Sequence, residues 1–386
     1  MKYFLGLIRR IIHEYEIPVR LDRISRVLVV DPNYIGDMLF SSVVYRALKE
    51  NLPNARVEAL VYPFTKEILS ANPFVDHVYD LPKGSLLQQL SILIKLRKTE
   101  FDLVLQLNTS LRTNFLMFLI CGKYRLGYDY RNRGCLNNIR VRIATRTAQT
   151  RYRVDECADL LEQAFAWRVS EREMILHVAA EHKERALQLL AKNKVGASDL
   201  LIGIQANCRE TWKERRWEQS KFSNLANELI RLYDAKIVFT GSMDDAEYVS
   251  SIIRGIQFQG NIVNLVGKTA IMELAAVLRR IDVFITVNTG PMQIAVSQRT
   301  PTVVLMGVTP PLVTYPLNVP IFQYVWTGNQ DTESQLKVDP KDAMRMKSIE
   351  VHHVLEKVAI LLQQRTGKTG NKIFSDNESA SNRKRE

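Results

Sequence analysis

Asp282-Val-Phe-Ile-Thr-Val-Asn288-Thr289-Gly290-Pro291-Met292-Gln293-Ile-Ala-Val296 reads as a buried strand, a tight polar turn and the start of a helix. Val283, Phe284, Ile285 and Val287 form the strand run. Pro291 suits the first turn of a helix, where a missing N–H costs nothing. Such a turn aims free backbone amides and a helix dipole at whatever lies above the sheet, and phosphate is the usual guest. An ordinary strand-to-helix connection would look the same.

A second stretch has the same form. Arg26-Val-Leu-Val-Val-Asp31-Pro-Asn-Tyr-Ile-Gly36-Asp37-Met38-Leu39 is again strand, loop and helix start. It places the Asp37 carboxylate just after a glycine at the carboxyl end of the first strand, where ligands bind in open α/β sheets. Asp37 could otherwise cap the helix that follows. Each stretch heads its own βα series. Strands are expected at 26–31, 56–61, 75–79 and 102–107, and again at 200–205, 236–240, 262–266, 282–287 and 301–306. Helices are expected at about 37–51, 64–71, 84–98 and 111–121, and at 219–233, 243–256, 270–280 and 291–298. That alternation specifies parallel sheets. The fold class is α/β, with two Rossmann-like doubly wound domains facing across a cleft.

Several segments together resemble glycosyltransferase family 9, the heptosyltransferases of lipopolysaccharide core assembly. They are the Gly36-Asp37 step, Ser42–Glu58, Asn72-Pro73-Phe-Val-Asp76, Glu214-Arg215-Arg216-Trp217, Phe239-Thr-Gly241-Ser242, Asn264–Thr269 and Asn288–Gln293. Their order and spacing over residues 25–320 carry the likeness. It implies a GT-B fold, an inverting transfer without a metal, and ADP-heptose as the nucleotide-sugar donor, with no other cofactor. The sequence alone does not choose ADP over UDP or GDP. The domains expected are an amphipathic helix over 1–24, an acceptor domain over 25–180 and a nucleotide-sugar domain over 181–345. A helix over 346–366 should return to the first domain, and a disordered tail should follow over 367–386.

Inverting transfer needs a base for the acceptor hydroxyl and a cation for the departing diphosphate. Asp37 is the candidate base, as the matching aspartate is in the family. Arg215 and Arg216 are the candidates for the diphosphate, since a guanidinium gives forked hydrogen bonds to phosphate. The family commonly has Lys at the place of Arg215. Thr289, Gly290 and the amides around Pro291 and Met292 would hold the diphosphate from the other side. The family's usual acidic residue is here Asn288 and its usual histidine is Gln293. Those departures keep open a non-catalytic nucleotide-sugar-binding protein, beside a nucleotide-sugar epimerase of GT-B fold. By resemblance, Thr240, Gly241, Ser242 and Met243 lie near the nucleotide, with Lys268 on the same side. Gly36, Asn108, Arg112 and Thr113 fall on the acceptor side. Arg112 matches a basic position near the family's phosphorylated acceptor.

Composition agrees. The chain has 386 residues, 53 basic against 41 acidic, for a net charge of +12. That excess favours an anionic partner, whether nucleic acid, acidic lipid or phosphorylated glycan, and the phosphorylated glycolipid acceptor that the resemblance implies fits it. No nucleic-acid motif accompanies it. Four cysteines, Cys121, Cys135, Cys157 and Cys208, form no C-x-x-C pair, which suits a reducing, cytoplasmic compartment. No histidine spacing or Asp-x-Asp triplet marks a metal site. Phe115–Cys121 is too short to span a bilayer and reads as a buried helix. Phe4, Leu7, Ile8, Ile11, Ile12 and Tyr15 share one helical face beside Lys2, Arg9 and Arg10. That stripe suits either the anionic cytoplasmic face of a membrane or packing on the protein's own first domain. Residues 128–150, rich in arginine, read as a long loop facing the cleft.

Overall fold

The computed structural model describes residues 13–142, 151–307, 310–327 and 342–366. Twelve strands divide into two sheets of six. The first has the order β3-β2-β1-β4-β5-β6, with β1 Arg26–Val30, β2 Arg56–Val61, β3 His77–Asp80, β4 Leu103–Gln106, β5 Tyr124–Asp129 and β6 Ile139–Arg142. The second has the order β12-β11-β10-β7-β8-β9, with β7 Leu201–Gln205, β8 Lys236–Phe239, β9 Ile262–Asn264, β10 Val283–Val287, β11 Thr302–Met306 and β12 Phe322–Trp326. Every pairing is parallel. The two sheets therefore repeat one doubly wound topology.

Alternation along each strand feeds cores on both faces, as a parallel sheet covered by helices requires. Val27 and Val29 enter one core, and Leu28 and Val30 the other. The helices of the first domain are α1 Ile35–Asn51, α2 Lys66–Ser70, α3 Leu86–Arg97, α4 Leu111–Ile120 and α5 Arg153–Phe165. Those that follow are α6 Ala180–Lys192, α7 Gln219–Tyr233, α8 Ala246–Arg254, α9 Ile271–Leu278, α10 Gly290–Ser297, α11 Pro311–Thr314, α12 Asp342–Lys347 and α13 Val351–Thr366. Strand order reverses between β1 and β4, and again between β7 and β10. These switch points open crevices beyond the carboxyl ends of the strands. The loops at 31–34, 107–110, 206–209 and 288–289 border them.

The domains are joined by packing. Helix α1 rests on α10, and α2 on α9. The connecting segment bonds across, with Ile175 N–H donating to Ser42 Oγ at 2.7 Å and Gln298 Nε2 donating to the Leu176 carbonyl at 3.0 Å.

Three expectations need correction. Residues 13–24 carry no helix. Tyr15 packs on Tyr124 at 5.3 Å and its N–H donates to the Asn138 carbonyl. The rest of the expected N-terminal helix, with Phe4, Leu7, Ile8, Ile11 and Ile12, lies outside the described residues, as does the tail 367–386. The stretch read as a loop over 128–150 contains the end of β5 and all of β6; residues 143–150 are not described. Ile139 and Val141 point inward between Arg140 and Arg142, and Glu14 and Asp129 pair with the buried Arg140. Helix α13 packs on its own sheet rather than on the first domain. Val354, Val358 and Leu361 enter the second domain's core beside Leu305, and Arg365 pairs with Asp282 at 2.9 Å. Trp217 Nε1, donating to the Ile349 carbonyl at 2.8 Å, fixes the chain as it enters that helix.

Candidate active site

The loop after β1 turns straight into α1, and Asp37 occupies its first turn. No side chain caps this helix at Tyr34. The Asp37 carboxylate is exposed and makes no hydrogen bond or ion pair among the described residues. The capping role is therefore unfilled, and the carboxylate is free to meet a ligand. Asp31 is its opposite, with no exposed surface. It accepts from Ser41 Oγ and, at 2.5 Å, from Asn33 Nδ2. Asn33 Oδ1 accepts in turn from Asn108 Nδ2 at 3.3 Å. Burial pushes the Asp31 carboxyl up to about 7; the Ser41 and Asn33 bonds oppose this, Asp37 adds to it, and Arg153 opposes it.

The second domain meets α1 at this spot. A Cβ on Gly36 would lie 3.4 Å from Gln293 Cγ, and one on Gly290 would lie 3.4 Å from Ile35 Cβ. The Gly36-Asp37 and Thr289-Gly290 turns are thus neighbours across the two sheets. Thr289 stands at the N-cap of α10, its hydroxyl donating to the Val287 carbonyl at 3.3 Å. Pro291 lies in the first turn, and Met292 is buried beneath it. Asn288 Nδ2 donates to Thr314 Oγ1 at 3.3 Å, and Gln293 Nε2 to the Thr314 carbonyl at 3.0 Å. Both departures from the family pattern thus share a partner in α11. Gln293 Oε1 is buried without a partner.

Arg215 joins this group. It ends a 3-10 segment, Glu210–Arg215, and its Nη1 donates to the Asn288 carbonyl at 2.8 Å. Its guanidinium lies 4.2 Å from the Trp212 ring centroid, and burial lowers its pKa. Its Nε is buried without a partner. Arg216 turns the other way. It donates to Asn207 Oδ1 at 2.7 Å and to the Cys208 carbonyl at 3.2 Å, and pairs with Glu210 at 2.8 Å. Its fork is occupied by its own loop. Arg209, from that same loop, stacks on Tyr34 of the first domain at 4.4 Å.

The remaining donor-side residues sit around β8 and β9. The Thr240 hydroxyl is buried and donates to Gln205 Oε1 at 3.1 Å. Ser242 is held through its N–H and hydroxyl by Asp245 Oδ2. Gly241, at φ 159, takes a conformation that a side chain would strain. Met243 is 69% exposed and lies over Gly267. Lys268 Nζ donates to the Asn264 carbonyl at 2.7 Å. Asn207, which accepts from Arg216, donates to Asp245 Oδ1 at 2.9 Å and so ties this loop to the Arg216 loop.

The family model described as glycosyltransferase family 9 (heptosyltransferase) matches residues 90–344. The chain belongs to glycosyltransferase family 9. Lipopolysaccharide heptosyltransferase 3 of Escherichia coli strain K12 is 27% identical over 307 residues, covering 77% of this chain and 86% of that protein. Two solved structures share the GT-B fold. A family 9 glycosyl transferase from Veillonella parvula DSM 2008 superposes with a TM-score of 0.76 at 21% identity, covering 90% of this chain and 99% of its own. E. coli ADP-heptose LPS heptosyltransferase II superposes with 0.71 at 21% identity, covering 88% and 99%. This family 9 member is accordingly a glycosyltransferase, and the epimerase alternative falls.

The first domain of this glycosyltransferase holds a cavity of about 720 Å³ beside the Asn33–Asn108 bond. Asn108, Arg112 and Thr113 line it, as do Tyr62, Arg131 and Arg133. No carboxylate lines it among the described residues. Arg112 donates to the Gly84 carbonyl and, at 3.2 Å, to Gln89 Oε1. Arg131 and Arg133 have no ion pair among the described residues. Tyr34, Tyr62 and Phe64 cluster nearby around the Lys83 ammonium, which lies 5.3, 5.4 and 4.2 Å from their ring centroids. Motif reading missed Asp31, the aromatic cluster and the Arg209–Tyr34 stack. A lysine beside Tyr34, Tyr62 and Phe64 had no sequence signal, because it stands 19 positions from Phe64, 21 from Tyr62 and 49 from Tyr34.

Proposed function

We propose that this enzyme transfers heptose from ADP-heptose, with inversion, to a phosphorylated sugar of a lipopolysaccharide core or a similar glycolipid. The observation that carries this reading is the unengaged Asp37 carboxylate in the first turn of α1, where α1 meets α10, the helix whose N-cap Thr289 follows the Asn288 carbonyl held by Arg215. The acceptor hydroxyl oxygen attacks the anomeric carbon as the bond from that carbon to the diphosphate breaks. Asp37 takes the hydroxyl proton in the same step. The bonding pair leaves with ADP, and Arg215 and the amide end of α10 meet the new charge without a metal ion. Thr240–Met243 and Lys268 would border the nucleotide. Asn288 and Gln293, held by Thr314, would face the sugar. Arg216 would support the diphosphate loop through Asn207 and Cys208.

The arginines of the cavity favour an acceptor carrying phosphate, and Arg112, Asn108 and Thr113 would position it next to Gly36. The names of the E. coli relatives support heptose as the sugar, ADP as the nucleotide and lipopolysaccharide as the acceptor class. Acting on an acceptor of that class would put the enzyme at the cytoplasmic face of the inner membrane; no helix among the described residues is long and apolar enough to cross it. The test is incubation with ADP-heptose and heptose-deficient lipopolysaccharide. The expected result is ADP release with a mass gain of one heptose on the acceptor. Donor binding without transfer to any phosphorylated core would instead support a non-catalytic protein. Transfer only from UDP- or GDP-sugars would overturn the donor assignment.

A further inference from the structure

Helices α3 and α4 pack side by side on one face of the first sheet. Leu93 and Leu96 of α3, with Leu116, Met117 and Ile120 of α4, fill the core beneath. A helix pair on a sheet normally spends its apolar residues on that single face. This pair also carries apolar residues on its outer side that the described residues leave exposed. Leu87 is 82% exposed, Leu90 and Ile94 are each 47% exposed, and Phe115 and Phe118 are 39% and 40% exposed. The spacings 87, 90, 94 and 115, 118 put each set on one side of its helix. The expectation that Phe115–Cys121 forms a buried helix is thus only half met. Scattered apolar residues on a surface need no explanation, but a contiguous set marks an interaction site.

Cations frame this face. Lys95, Arg97 and Lys98 close the end of α3, and Lys123 and Arg125 follow α4. The Arg125 guanidinium lies 5.9 Å from the Phe118 ring, and Arg97 Nη1 donates to the Leu119 carbonyl at 3.0 Å. None of these five forms an ion pair among the described residues. Of the nearby acids, Asp102 is taken up by the Ser25 and Arg26 amides, which leaves Glu100. At the other end, the first turn of α4 forms a wall of the cavity through Arg112 and Thr113.

We propose that the outer face of α3 and α4 is a docking surface for an anionic lipid bilayer. Leu87, Leu90, Ile94, Phe115 and Phe118 enter the acyl boundary, and the surrounding lysines and arginines sit among anionic headgroups. Charge selects this occupant. Two copies of the chain meeting through this face would bring like charges together, whereas an anionic bilayer matches both the apolar stripe and its basic frame. Because α4 also walls the cavity through Leu111, Arg112, Thr113 and Leu116, docking would hold the cavity mouth at the headgroup level. That purpose rests on the reading of a glycolipid acceptor, but the docking itself does not.

The test is sedimentation of the full chain with vesicles, without acceptor, so that it can fail separately from the functional reading. Vesicles of phosphatidylglycerol and phosphatidylcholine should bind the wild type, pure phosphatidylcholine should bind it weakly, and raising the salt should release it. The triple variant Leu87→Ser, Ile94→Ser, Phe118→Ser should lose about tenfold or more in partition coefficient, with its circular dichroism unchanged. Leu87→Trp provides a readout independent of that fold check. Its added fluorescence, taken as the difference from the wild type with its four tryptophans, should shift to the blue and be quenched by brominated anionic lipid. Equal vesicle binding by the triple variant, or an unquenched indole at an otherwise bound protein, would overturn the proposal. So would a wild-type dimer that the triple variant splits without any vesicle binding, and so would binding abolished only by Arg9→Glu with Arg10→Glu.

Discussion

Replacing Asp31 by Asn should make the stability of this protein less dependent on pH. Asp31 directly follows β1 with no exposed surface, and its carboxyl is pushed up from 3.8 to about 7, chiefly by burial. A raised folded-state pKa means that the folded protein prefers the protonated acid. Its contribution to stability is complete below the unfolded value near 3.8 and is lost as the pH rises through about 7. A shift of roughly three units at ~1.4 kcal/mol each gives an upper bound of about 4 kcal/mol over the whole range, and roughly 3 kcal/mol of it falls between pH 5 and 8. Asparagine keeps an acceptor for one of Ser41 and Asn33, presents an amide NH2 to the other, and cannot ionise. Asp31→Asn should therefore gain on the wild type steadily from pH 5 to pH 8, whatever constant offset the substitution brings. Urea unfolding followed by far-ultraviolet circular dichroism at four pH values in that window measures the difference. A gap that stays constant, or that narrows toward pH 8, would refute the assignment of a buried, reluctantly ionised carboxyl.

Other perturbations test separate parts. Arg215→Met should weaken ADP binding by about ten- to a hundredfold, the worth of a charge-assisted hydrogen bond of ~1.5–3 kcal/mol, and calorimetric titration that finds unchanged affinity would remove Arg215 from the diphosphate site. Arg131→Ala with Arg133→Ala should raise KM for a phosphorylated acceptor several-fold and leave donor affinity alone; an equal effect on a dephosphorylated acceptor would contradict phosphate recognition. Gly203→Ala should cost about 1–3 kcal/mol in unfolding free energy, because its Cβ would sit 2.8 Å from Phe284 Cδ2; a loss below 0.5 kcal/mol on the same ~1–3 kcal/mol scale would mean that β7 and β10 give way easily there.

The regular strands were legible because each is an unbroken apolar run bounded by turn residues. Arg26–Val30 and Val283–Val287 needed nothing from elsewhere in the chain. Strand β6 was not legible, since two of its four residues are arginines and Arg140 is tolerated inside only through Glu14 and Asp129, which lie far from it in sequence or on the next strand. Helix α13 was visible as a helix, but amphipathic periodicity does not say which domain receives it. The Trp217–Ile349 bond decides that, over 132 residues. In the site, two strand-to-helix turns announced themselves by small residues next to Asp37 and Pro291. The separate fates of Arg215 and Arg216 did not, because adjacent arginines on a loop look alike until Asn288, Asn207 and Glu210 take different sides. Asp31 read as the last residue of a strand, and its burial depends on α1, whose Ser41 donates to it.

The most direct measurement compares Asp37→Asn with the wild type for ADP-heptose affinity and for kcat on a phosphorylated core acceptor. Removal of a general base costs about 10²–10⁴-fold in rate, so kcat should collapse by that order while donor Kd stays within about twofold. Turnover that survives the substitution, or a donor affinity that falls in step with the rate, would contradict a base poised over the seam between the two domains.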